Sequence, residues 1–145
     1  MPTAHGFCLG SAGIFFLTGL VTGAWKYLCI ARSPDAKAPV YVDVAHRTAL
    51  LYAFACGLAA TFAARSAWSD RTNLIAAIVL VAYFAASVLG YVVHGALRDT
   101  DNQLRRPHRL GRSTIPSGSM VAFMVSLIAA ELSAFTVLFV GWLTA

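Results

Sequence analysis

The stretch NLIAAIVLVAYFAASVLGYVVHGAL, residues 73–97, decides the fold. It runs for 25 residues without an Asp, Glu, Lys or Arg. A membrane-spanning helix needs about 20 predominantly apolar residues. In lipid, only a helix or a closed barrel satisfies its own backbone groups. The polar side chains of this run are not scattered. Ser87, Gly90, Tyr91 and His94 follow Tyr83 at offsets of 4, 7, 8 and 11, which at about 100° per residue fall on one helix face. Ile78, Val81, Ala85, Val88 and Val92 form the opposite, apolar face. A polar stripe on a membrane helix faces a bundle interior or a cavity. The plainer alternative is hydrogen bonding between helices.

Three further apolar runs lie at about 9–31, 44–64 and 116–143. The predicted architecture is therefore all-α, an integral membrane four-helix bundle forming a single domain over 1–145. Composition agrees. Charged residues are 12% and hydrophobic ones 59%, with a mean hydropathy of +0.70; globular domains carry about 25% charged residues. Asp43 is expected to cap the second helix, and Asp70 and Asn73 the third. Ser33-Pro34 and Pro39 end the first helix and shape its loop, and Pro116 fits the first turn of the fourth. No linker and no internal repeat are visible. No basic residue precedes the first run, so no signal peptide is expected. Cys8, Cys29 and Cys56 form no CxxC pair and read as buried apolar residues.

The formal charge of +5 does not point to nucleic acid, because the basic residues cluster beside apolar spans. Lys26, Arg32, Lys37, Arg47, Arg98, Arg105, Arg106, Arg109 and Arg112 flank loops 1–2 and 3–4. Only Arg65 and Arg71 lie on the other side. The positive-inside rule predicts that loops 1–2 and 3–4 are cytoplasmic, in a bacterial inner membrane, with membrane lipids as partners. Trp25, Lys26, Tyr27 and Trp142 read as interfacial belt residues. The loop 97–112, LRDTDNQLRRPHRLGR, is expected to be solvated, with a lid over a pocket as the lesser reading. His5 and His108 lie outside the predicted spans.

His46 sits about three residues inside the second helix, and His94 about three residues before the charged end of the third. The two are predicted at similar depth in one leaflet. Tyr52 follows His46 by six residues, a rotation of about 240°. The two can share a pocket only if it lies between subunits. Glu131 sits near the middle of the fourth helix, where an ionised carboxylate costs roughly 2.5–3.5 kcal/mol. It reads as protonated or paired, either a proton donor or an interhelical contact. Arg47 reads first as a topology anchor.

A resemblance joins several of these residues. His5-Gly6, Gly23-Ala24-Trp25, Ala45-His46 and Gly90-Tyr91, with PSGSMVAF at 116–123, are similar to motifs of the styrene oxide isomerases, small four-helix membrane enzymes that bind haem b. The resemblance covers most of the chain. It implies that His46 is the axial haem ligand and Tyr91 a catalytic residue. An asparagine and an aspartate of the family fall on Tyr52 and Tyr83, which are departures. The basic residues also lie on the other side from the family's. His94 and Glu131 have no family counterpart. The resemblance implies a ferric iron acting as a Lewis acid on an epoxide, a 1,2-shift and a carbonyl product, in a site free of water. It further implies a homo-oligomer with haem near the subunit interface. Arg47 then becomes a candidate for a haem propionate. Two alternatives stay open at this point. One is a b-type electron carrier with haem between His46 and His94. The other is a haem-free scaffold or transporter subunit.

Overall fold

The computed structural model describes residues 3–145. It contains four helices: α1 (Ala4–Ala31), α2 (Val40–Ala64), α3 (Asp70–Leu97) and α4 (Ser117–Leu143). Each is long and apolar enough to cross a membrane. The shortest has 25 residues, about 38 Å at 1.5 Å per residue, against a hydrocarbon core of about 30 Å. The chain is an all-α, membrane-type four-helix bundle.

Helices α2 and α3 form the centre. α1 packs on both from one side and α4 on both from the other. Small residues permit the close approach. Ala45, Ala49, Ala53, Cys56 and Ala60 recur every three or four residues along α2, and all are buried. Opposite them, α1 presents Gly19 and Gly23 four residues apart, against Leu50 and His46 of α2. Gly95 of α3 meets Val42 and Trp25 in the same way. Phe15, Leu80, Phe84 and Leu138 fill the remaining core. Ile14, Leu17, Leu51, Phe54, Leu89 and Leu132 point outward, as a lipid-facing surface should.

Helix ends differ from the sequence expectations where polar residues begin the helix. α1 starts at Ala4, capped by the Thr3 side chain on the Gly6 N–H. His5 therefore belongs to α1, and its Nδ1 lies 3.1 Å from the Ala60 carbonyl. Asp43 is not a cap. α2 begins after Pro39, and Asp43 pairs with Lys26 and Arg47. Ser69 caps α3. Asp70 instead accepts the Ala4 N–H at 3.0 Å, tying the start of α1 to α3. Asn73 is held by Ser66 and the Trp68 carbonyl. Pro116 stands at the cap position of α4 rather than inside it. Cys8 and Cys56 are buried, while Cys29 is only half-buried.

The α3–α4 connection is not wholly solvated. It folds into an antiparallel hairpin, β1 (His108–Leu110) and β2 (Ser113–Ile115). Gly111 opens its two-residue turn at φ 61°, a backbone conformation that favours glycine there. His108 is buried beneath the hairpin, its Nδ1 3.1 Å from the Gln103 carbonyl.

Candidate functional site

A cavity of about 310 Å³ lies between α2, α3 and α4, beneath the hairpin. α3 supplies Ala86, Ser87, Gly90, Tyr91 and His94, so four members of the predicted stripe line one wall. α2 supplies Tyr52. α4 supplies Ser119, Met120, Phe123, Met124 and Leu127, and the connection supplies Gln103, Leu110 and Ile115. The wall is mostly apolar, with its polar groups gathered on one side.

The polar side is built in layers. Arg98 ends α3 in the left-handed region at φ 51°, turning the chain back on the helix. That turn brings the Asp99 Oδ1 to 2.8 Å from the His94 Nδ1. Both side chains are nearly inaccessible, at 6% for His94 and 4% for Asp99. The second Asp99 oxygen accepts the Gly111 N–H from the hairpin turn. Burial raises the Asp99 pKa, but the bonds from Gly111 and His94 together outweigh it and hold the carboxyl below its ordinary value. The Tyr41 ring lies against both Tyr91 and His94, and its oxygen accepts the Gln103 N–H. With Nδ1 engaged, Nε2 is the nitrogen of His94 that is left for the cavity.

Tyr52 stacks on Phe84 with ring centroids 3.8 Å apart. Its hydroxyl neighbours Ser87 and Glu131. Yet Ser87 Oγ and Glu131 Oε1 are buried without a well-formed hydrogen bond among the described residues. Glu131 belongs to a neighbouring groove with Leu80, Phe84, Leu127 and Phe135. Tyr83 does not reach the cavity wall and lies against Phe123.

His46 is elsewhere. Its Nδ1 is 2.8 Å from the Gly19 carbonyl of α1, and its ring covers Gly23. Tyr41 and His46 are five residues apart, a rotation of about 140°. Because Tyr41 faces His94 while His46 faces α1, the two histidines sit on different sides of α2. His94 is level with Tyr41, so His46 also lies about 7 Å deeper, at 1.5 Å per residue. A haem held from both faces needs the imidazoles opposed, and this placement does not oppose them. Arg47 is exposed and bonds to Asp43 at 3.2 Å, away from the cavity.

Fold and cavity together define a small membrane protein with a mostly apolar cavity, polar along one side, and a separately oriented histidine. No family profile, curated protein or solved structure matches the chain.

Proposed function

We propose that this chain is a haem-dependent membrane isomerase, converting a small hydrophobic epoxide or related oxygenated compound into a carbonyl compound. The observation that carries the reading is how His46 is held. The Gly19 carbonyl engages Nδ1, which fixes the tautomer with Nδ1–H donating and leaves the Nε2 lone pair for a metal. Gly23 provides the space the ring occupies. These features suit His46 to hold the iron of haem b. When bound, haem would supply a Lewis-acidic ferric iron.

The other parts of the task fall to side chains of the cavity. Met120, Phe123, Met124 and Leu127 receive the hydrocarbon body of the substrate. They keep out water, which would trap a developing cation as a diol. Tyr91 and Tyr52 line the same cavity and are the hydroxyl donors available to the oxygen-bearing end. Tyr83 acts only behind Phe123, and Glu131 only through Tyr52. Arg47, paired with Asp43, serves as an interfacial anchor.

His46 and the cavity lie on different sides of α2, so one copy alone does not unite them. A closed ring of copies does, if the α1–α2 seam of each meets the cavity side of the next. The proposal thus includes a homo-oligomer in a bacterial inner membrane, with loops 1–2 and 3–4 cytoplasmic. The test is the absorption spectrum of detergent-purified protein expressed with ample haem. A Soret band that His46→Ala removes and His94→Ala keeps is the expected result. Product analysis with styrene oxide then follows. Absence of a Soret band in the wild-type protein would overturn the reading.

A further inference from the structure

We propose that the cavity has a second activity needing no haem: abstraction of a proton from carbon adjacent to a carbonyl, with His94 as the base. Three independent observations converge on it. The first is the Asp99–His94 pair. A carboxylate bonded to Nδ1 at 2.8 Å fixes the imidazole's tautomer and orientation, and it stabilises the imidazolium that proton uptake creates. Asp99 is itself fixed by the Gly111 N–H, which makes it the positioning residue. The second is the pair's surroundings. Among the described residues no group of three or more His, Cys, Asp and Glu side chains assembles, so the pair is not one corner of a protein-ligated metal site. It opens instead onto an organic-sized, mostly apolar chamber. The third is the hydroxyl set. Tyr91 and Tyr52 line the same chamber as His94, and the Tyr52 hydroxyl has Ser87 beside it. Hydroxyl donors in the same chamber as a base are what an enolate requires, because negative charge moves to the carbonyl oxygen as the proton leaves.

The step balances without an oxidant or reductant. The Nε2 lone pair takes the α-proton, and the C–H electron pair becomes the enolate double bond. The carbonyl π pair moves to oxygen, where the Tyr91 and Tyr52 hydroxyls are the donors that the lining offers. Return of the proton to the same carbon gives exchange, and its return to a conjugated carbon gives isomerisation. The ligand class is a small, largely hydrocarbon aldehyde or ketone with an acidic C–H.

The experiment uses haem-free full-length protein in detergent with phenylacetone in D₂O. Loss of the benzylic proton signal is followed by NMR. General-base catalysis contributes about 10²–10⁴-fold, so His94→Ala should slow exchange at least about 100-fold, with added imidazole restoring part of it. Asp99→Asn should lower kcat with little change in KM, and Tyr91→Phe should slow exchange in a protein that keeps its fold. Wild-type exchange no faster than that of His94→Ala would overturn the proposal. If His94→Ala does not fold, unchanged exchange in both Asp99→Asn and Tyr91→Phe would overturn it equally. A missing Soret band leaves this measurement unaffected, so the two proposals fail separately.

Discussion

Replacing Gly23 by alanine tests how His46 is held. A Cβ at position 23 would stand 2.8 Å from His46 Cε1 and 3.0 Å from Nδ1. Carbon atoms in contact settle at about 3.5–4.0 Å, so the ring must retreat by roughly 0.7 Å. The Nδ1 contact to Gly19 is 2.8 Å, and such a retreat carries it past the useful limit of about 3.2 Å. Overpacking costs about 1–3 kcal/mol. Alanine recovers about 0.8–1 kcal/mol over glycine within a helix. The expected net effect is a loss of about 1 kcal/mol. In a His46→Ala background the obstacle is gone, and Gly23→Ala should instead stabilise by about 0.5–1 kcal/mol. The assay is a double-mutant cycle on purified protein in detergent, read by circular dichroism during denaturant unfolding. A change of sign between backgrounds is the expected outcome. If Gly23→Ala has the same sign and size in both, His46 does not pack on Gly23 and the axial-ligand geometry loses its basis.

Two further outcomes follow from the packing and the hairpin. Leu138 of α4 is completely buried in the core, so Leu138→Ala should cost about 2–5 kcal/mol, read as a lower unfolding midpoint; a cost below that of a surface change would contradict the placement of α4. Asp99 titrates below its ordinary value because Gly111 and His94 bond its charged form against the opposing effect of burial. A depressed carboxylate contributes stability that is present above its unfolded pKa of about 3.9 and is lost as pH falls through the lower folded value. Hydrogen exchange at the Gly111 amide should therefore stay protected from neutral pH to about pH 4 and open below it. Asp99→Asn should remove that acid-dependent step, and an unaltered step would show that another group controls the hairpin.

The four helices were legible because hydropathy alone identifies spans in lipid. Their ends were less so. Hydropathy discounts His5 and Gly6, yet the Thr3 cap starts α1 before them, and His5 meets a carbonyl near the end of α2. Asp43 has the chemistry of a cap, but Lys26 on the neighbouring helix claims it, and a single helix read in isolation cannot reveal that partner. The hairpin left a trace in Gly111-Arg112, a two-residue turn opened by glycine. Its strands of three residues are too short for alternation to show. The Gly19–Gly23 spacing was an available signal for close α1–α2 packing.

For the site, rotation about the helix axis proved more legible than contact across it. The spacing of the α3 stripe predicts a shared face, and Ser87, Gly90, Tyr91 and His94 do line one wall. Tyr83 shares their face by spacing but meets Phe123 first. The 240° between His46 and Tyr52 likewise separates them, one toward α1 and the other toward the cavity. The expected common depth of His46 and His94 does not hold, since His94 is level with Tyr41 and His46 lies about 7 Å deeper, and depth in any case leaves the direction around α2 free. Nor could spacing reveal Asp99 as the partner of His94. Continuing the helix for five residues would carry position 99 about 140° around the axis, away from the imidazole. The left-handed turn at Arg98 brings it back. A nonhelical residue just past the helix end thus completes the buried polar pair beside the cavity. The same carboxylate holds the hairpin above it, so the orientation of the base and the closure of the chamber depend on one side chain.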